Sequence, residues 1–187
     1  MKCGSCQSVY PDPDIVGGIA YFVCAGCGNI FEIKDYAPIQ TQELKDQIVA
    51  AFGDVELGQG IGLYQAQAID DYETEELQQR YRVSDEKKDW INIPHEELQR
   101  CNSSLSFFDA EGMRFHLPAF IIASIEDKVD NCIFYLTQNS EFVKSKFVVF
   151  NELQRQCIRS YLSWCLLQEE YEFYRDDIKS ALTSIWS

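Results

Sequence analysis

Two hydrophobic periods divide this 187-residue chain near residue 37. Ahead of that point the apolar positions come in short β-rich runs. Ile19-Ala20-Tyr21-Phe22-Val23 follows a glycine pair, and Asn29-Ile30-Phe31-Glu32-Ile33 follows ten residues on, which predicts two paired strands. Pro11-Asp12-Pro13-Asp14 reads as a stiff loop before them, and Asp35 to Pro38 as a linker. Beyond the linker the period lengthens to nearly four. Leu44, Ile48 and Phe52 recur at i, i+4 and i+8 behind Thr41, a candidate cap. After a glycine-rich stretch (Gly53, Gly58, Gly60, Gly62), Leu63 to Tyr72 reads as a second helix, and Thr74 caps a third through Leu77 and Tyr81. Ser84 to Asp89 reads as a charged loop. Pro94, at a first-turn position, opens a helix with Leu98 and Cys101 facing inward.

The second half is more apolar. Asp109 is placed to cap a segment from Met113 to Ile125, in which Pro118 should break or kink the helix because proline lacks the amide and clashes one turn back. Cys132 to Leu136 suits a strand or a buried helix equally. Asn151-Glu152-Leu153-Gln154 is a capping-box sequence, and Leu153, Cys157, Tyr161 and Cys165 behind it line one stripe, widened by Ile158 and Leu162. Ile178, Ala181, Leu182 and Ile185 mark a last helix. The expected fold is mainly α, a compact helical domain over 37–187 preceded by a small β unit over 1–36.

Composition adds that the helical part holds its own core. Apolar residues make up 46% and aromatics 13%, and a body of roughly 150 residues can bury about 70% of its unfolded surface without a staple. No apolar run is long enough to span a membrane. The first residues, Met-Lys-Cys-Gly, carry no hydrophobic stretch or cleavage site, so the sequence predicts a cytoplasmic protein.

Charge changes the picture further. The formal net is −14, and residues 1–36 hold Lys2 and Lys34 against Asp12, Asp14, Glu32 and Asp35, so the helical part carries −12 of it. Between Asp46 and Gln79 there are eight acids and no Lys or Arg. Such a surface repels phosphate backbones and attracts basic proteins, though a solvated face is the bland alternative. Tyr64 and Tyr72, interleaved with Asp70, Asp71, Glu73, Glu75 and Glu76, are the residues expected to contact a basic partner, since tyrosine beside carboxylates offers rigid amphipathic anchors. The same acids fall near one helical turn apart, but no glycine-punctuated calcium loop surrounds them.

The most specific chemistry lies in the head. Cys3-Gly-Ser-Cys6 and Cys24-Ala-Gly-Cys27 are C-x2-C pairs seventeen residues apart, the ligand set of a closed tetrahedral zinc site. Rubredoxin-like iron binding uses the same ligand geometry, and a dithiol redox pair would use one C-x-x-C in a βαβ setting. Glycine-bearing turns beside short strands favour a zinc ribbon. Four thiolates leave no open position, so one Zn2+ bound by Cys3, Cys6, Cys24 and Cys27 would be structural, and folding of the head would depend on it. Cys101, Cys132, Cys157 and Cys165 are scattered singly, as buried free thiols in a reducing compartment would be.

Catalytic signals are weak. His95 and His116 are the two histidines; the first reads as an exposed first-turn residue and the second as a half-buried core imidazole. Cys101 on an apolar helix face reads as core. No nucleophile elbow, zinc-protease helix or P-loop is present, so no catalytic residues are assigned.

The phrases Gly60-Ile61-Gly62-Leu63-Tyr64 through Ile69-Asp70-Asp71-Tyr72, Asp85-Glu86-Lys87-Lys88-Asp89-Trp90, and Phe107-Phe108-Asp109 through Phe115-His116-Leu117-Pro118-Ala119-Phe120 are distinctive. Together they resemble an uncharacterised bacterial domain family marked by an Asp-Asp-Tyr segment, an Asp-x-x-Trp segment and a Phe-x-Leu-Pro-Ala signature. The resemblance spans about Leu44 to Leu167. It implies a compact, mainly helical bacterial domain with no established activity and brings no functional residues; its members usually lack the cysteine head.

The function expected is therefore non-enzymatic protein binding, most sharply an immunity or inhibitor protein that neutralises a basic toxin or effector through its acidic surface. A zinc-ribbon adaptor on nucleic acid or the transcription machinery is the alternative, although the head has only two basic residues for direct contact. An enzyme using His95, Glu96, Cys101 or His116 is the other, and it requires a cleft joining at least two of them.

Overall fold

The computed structural model describes Asp14–Val16, Ile19–Val23, Ile30–Glu32 and residues 40–186. In the head, β1 (Asp14–Val16), β2 (Ile19–Val23) and β3 (Ile30–Glu32) form an antiparallel sheet in the order β1-β2-β3. Asp14 pairs with Tyr21 and Tyr21 with Glu32. The two β-rich runs are thus strands, and β1 is a third that begins at the end of the segment read as a stiff loop. Cys3, Cys6, Cys24 and Cys27 lie outside the described residues.

From residue 40 onward the protein is mainly helical. Helix α1 (Thr41–Phe52) turns its Leu44–Ile48–Phe52 stripe fully inward, against α5 (Ala110–Ile125) and α8 (Glu152–Cys165). Gln40, not Thr41, occupies its cap position. Helices α2 (Leu63–Asp70) and α3 (Glu75–Ser84) form a hairpin, followed by α4 (His95–Arg100). The ambiguous segment after Cys132 is helical, α6 (Ile133–Thr137), and α7 (Glu141–Ser145) and α9 (Arg175–Ser184) complete the set.

Two further expectations are corrected. Helix α5 runs through Pro118 without a break. Pro118 and its neighbours from Phe115 to Ile121 are all buried, so the packing of that segment outweighs the ~3 kcal/mol that an interior proline costs. On α8, Leu153 is 70% exposed while Gln154 is buried. The capping box explains this: Gln154 accepts from the Asn151 amide (3.1 Å), and its own amide donates to Ala51 O at the end of α1 (3.2 Å). The inward stripe therefore runs through Cys157, Ile158, Tyr161, Leu162 and Cys165 without Leu153.

The distinctive phrases of the sequence meet in one place. Asp109 caps α5 through the Gly112 amide (2.8 Å) and also accepts from Ile61 N (3.0 Å), which ties the Gly60–Gly62 loop to the start of α5. A Cβ on Gly112 would lie 2.4 Å from Ile61 O, and one on Gly62 only 1.9 Å from an Asp85 carboxylate oxygen. Glycine is required at both by close approach. Through that gap Asp85, from the loop after α3, accepts from Tyr64 N (2.7 Å) and caps the first turn of α2. Next to it Glu86 gathers the amides of Lys87, Lys88 and Asp89, and Trp90 donates to Phe52 O (2.8 Å). The loop that joins α2, α3 and α4 to the core is thus held by side-chain-to-backbone bonds.

Candidate protein-binding surface

The acidic stretch falls on the turn between α2 and α3. Helix α2 ends with Glu73 N donating to Ala68 O (2.9 Å) and Tyr72 N to Ile69 O (3.1 Å), a Schellman closure. That closure needs one left-handed residue, and Tyr72 takes the position at φ 56°. Glycine fits there freely, whereas a residue with a Cβ is disfavoured by ~1–2 kcal/mol. The result is an aromatic ring that stands off the turn, 95% exposed.

Local physics also disfavours the two residues before it. Asp70 and Asp71 sit at the carbonyl end of α2, whose last turn holds no base to offset the helix dipole. Gln67 compensates in part by donating to Asp71 (3.0 Å) and Asp70 (3.5 Å). Glu75 and Glu76 are different: they lie in the first turn of α3, where the dipole favours acids, behind the Thr74 cap. Asp71, Tyr72, Glu75 and Glu76 are exposed, and Asp70 and Glu73 half-buried.

Tyr64 is not part of this ridge. It is half-buried beside α4, with the Arg100 guanidinium 5.4 Å from its ring centre and Glu97 hydrogen-bonded to its hydroxyl. Burial, then the Glu97 charge, push its phenol above the usual value, with Arg100 pulling the other way. Arg100 is paired to Glu97 through Nε (3.1 Å) and Nη2. Tyr64, Gln67, Asp71, Tyr81, Arg100 and Cys101 line a cleft of 260 Å3 between α2, α3 and α4. Asp71 alone belongs to both ridge and cleft.

The residues weighed for catalysis do not converge. His95 lines a different cleft, of 340 Å3, where its Nε2 lies 3.9 Å from Glu126 and Glu126 pairs with Lys45 (2.6 Å). Glu96 is exposed. His116 is fully buried rather than half-buried: it stacks on Phe108 (4.4 Å between centroids) and bonds Gly112 O through Nδ1 (2.8 Å), while Nε2 has no partner. Burial lowers its pKa to about 4, so the imidazole is neutral. Cys101, Cys132, Cys157 and Cys165 are free and buried; desolvation raises Cys101 to about 11 and Cys132 to about 12, leaving unreactive thiols.

A family model described as a family of unknown function, DUF6714, matches residues 40–187. The chain belongs to the DUF6714 family. No curated protein and no solved structure matches it. The DUF6714 match takes in the α2–α3 ridge, the cleft and the glycine-lined contact with α5. Among the described residues no three His, Cys, Asp or Glu side chains gather to hold a metal ion, and no helix is long and apolar enough to cross a membrane.

Sequence reasoning missed Arg100 and Tyr81 as cleft residues, Glu97 as the partner of Arg100, and Asp85 as a remote cap. Tyr81 had a signal, since its i, i+4 spacing from Leu77 allowed an α3 face turned toward α2. Asp85 had none, because its partners lie 20 and 21 residues away.

Proposed function

We propose that this protein is a non-enzymatic binding module, a cytoplasmic immunity or inhibitor protein that occludes a basic surface on a toxin or effector. Its contact surface is the ridge of Asp70, Asp71, Tyr72, Glu73, Glu75 and Glu76, with Tyr64 in the adjoining cleft. The observation that carries this reading is the run Asp70-Asp71-Tyr72. All three positions are locally unfavourable, two by helix dipole and one by a left-handed backbone at φ 56°, and together they present an exposed aromatic ring among carboxylates. Backbone strain that persists at a surface site without any packing benefit points to use. The −12 net charge of the helical part would steer a cationic partner toward it.

The cysteine head is assigned a scaffold role. Cys3, Cys6, Cys24 and Cys27 form a four-thiolate donor set suited to one structural Zn2+, with β2 and β3 flanking the second pair in sequence. Head (1–36) and helical part (37–187) act as two units, the second doing the recognising. Four sulfur ligands leave the metal no position for water, so it takes no part in chemistry.

The reading expects a basic toxin or effector encoded beside this gene. Converting Asp70, Asp71, Glu73, Glu75 and Glu76 to their amides should slow association with that protein at least ~10-fold in stopped flow and flatten its salt dependence. An unchanged on-rate at low salt ends the proposal.

A further inference from the structure

The cleft walled by α2, α3 and α4 has a shape and polarity that narrow what a partner brings to it. Its 260 Å3 falls below the ~300–1,000 Å3 of clefts that bury a whole small molecule, and suits a single inserted side chain. Two tyrosines, Tyr64 and Tyr81, line it together with the exposed Asp71. Tyr64 and Ser84 also line an adjoining cleft of 240 Å3 that reaches Asp85 and Glu86, so carboxylates bound the space on both sides of Tyr64.

Two observations within the molecule show how this space treats a cation. The first is Arg100, whose guanidinium already lies over the Tyr64 ring with its charge answered by Glu97. That contact shows a guanidinium resting on the Tyr64 ring, while the Asp71 carboxylate accepts from the Gln67 amide and forms no ion pair with a base among the described residues. The second is Cys101 in the cleft wall. After burial, which pushes its thiol up, the strongest charged neighbour is Arg100, pulling it down, while Glu97, Asp85 and Asp71 push it up. Three carboxylates and one base thus act on the cleft wall.

We infer that this cleft receives an arginine side chain from the partner, held between Tyr64 and Tyr81 with its guanidinium on Asp71. The inference rests on the protein-binding reading and names the chemistry of the contact. Arginine suits the site better than lysine because a planar guanidinium stacks between rings and pairs with a carboxylate edge, whereas an ammonium is a strongly hydrated point charge.

The test uses the full-length protein, isotopically labelled, titrated in NMR with N-acetyl-arginine amide and, in parallel, the isosteric but neutral N-acetyl-citrulline amide. Arginine should give saturable shifts centred on Tyr64, Ala68 and Tyr81, with citrulline at least ~5-fold weaker. Asp71→Asn and Tyr81→Ala, both at exposed positions, should each lower arginine affinity about 3-fold. The triple change E73Q/E75Q/E76Q, outside the cleft, should leave it within about twofold. Equal shifts with citrulline, no saturable shift, or unchanged affinity in both cleft variants would overturn the inference. Partner association that still slows on neutralising the ridge, with arginine binding absent, removes the cleft and leaves the acidic-ridge reading intact.

Discussion

Helices α5 and α3 are made from the same chain to opposite ends. Of the sixteen residues of α5, eleven are buried, including Phe115, His116, Leu117 and Phe120; of the ten in α3, none is. Within α5 the local irregularities are absorbed by packing: a proline in mid-helix, an imidazole without a second partner, a glycine pressed against backbone; the left-handed Asp127 just beyond its end is exposed. Around α3 the irregularities face solvent. Tyr72 in a left-handed cap has nothing packed over it, and two aspartates at the wrong helix end are offset only in part, by the Gln67 amide. Strain enclosed by core follows from fitting the chain together; strain displayed to water has no such explanation and is where recognition is to be sought.

The sharpest break in this comparison would come from the core side. Phe120→Ala removes a fully buried ring, and a loss of about 3–5 kcal/mol in denaturant unfolding is expected. A loss below 1 kcal/mol would mean that α5 is not the organising element.

The next effect is pH-dependent. His116 has its pKa lowered by burial to about 4, against the usual 6.5 in the unfolded chain. Between those values the unfolded chain binds a proton that the folded protein refuses. The stabilisation is thus fully present above pH 6.5 and is lost as pH falls toward 4, by about 3 kcal/mol in all. Because carboxylates titrate near the lower end too, the measurement is the difference between wild type and His116→Gln. The substitution should flatten the slope of stability between pH 6.5 and 4.5; parallel curves would place the imidazole in contact with water.

The smallest effect sharpens the comparison most. Tyr72 and Asp127 hold the same position in two Schellman caps, both at φ 56°, after α2 and α5. Aspartate tolerates the left-handed region better than tyrosine does. Tyr72→Gly should therefore raise stability by about 1 kcal/mol and Asp127→Gly by only about half that, both read from thermal melts. If glycine at 72 stabilises the fold yet weakens partner association, stability has been traded for a displayed ring. If it destabilises, Tyr72 is packed in solution and the ridge loses its anchor.

Much of the architecture was legible in the residues because it depends on neighbours in sequence. The Leu44–Ile48–Phe52 stripe, the caps at Thr74, Asp109 and Asn151, and the two longer β runs involve groups within a turn or a hairpin of one another, and each appears where its pattern places it. The acidic ridge was legible for the same reason: charge is carried by the residues themselves. Leu153 misled because hydropathy ranks a leucine above a glutamine, whereas Gln154 gained an inward place by bonding to Ala51 O, 103 residues away. Pro118 misled because its local cost is visible in the sequence while the burial that offsets it is not.

What the sequence by itself determined is local and compositional: which segments coil, where they are capped, that the helical part is acidic, and that four cysteines at the amino end share metal-ligand spacing. Tertiary structure alone decided that Asp85 reaches the start of α2 through the gap left by Gly62. It also decided that Tyr64 belongs to a cleft with Tyr81 and Arg100 rather than to the ridge, that His95, Cys101 and His116 stand apart, and that Tyr72 is held out into solvent. Each of these depends on distances between residues far apart along the chain. Such distances are set by how faces pack and which carbonyls find donors, and no periodicity encodes them.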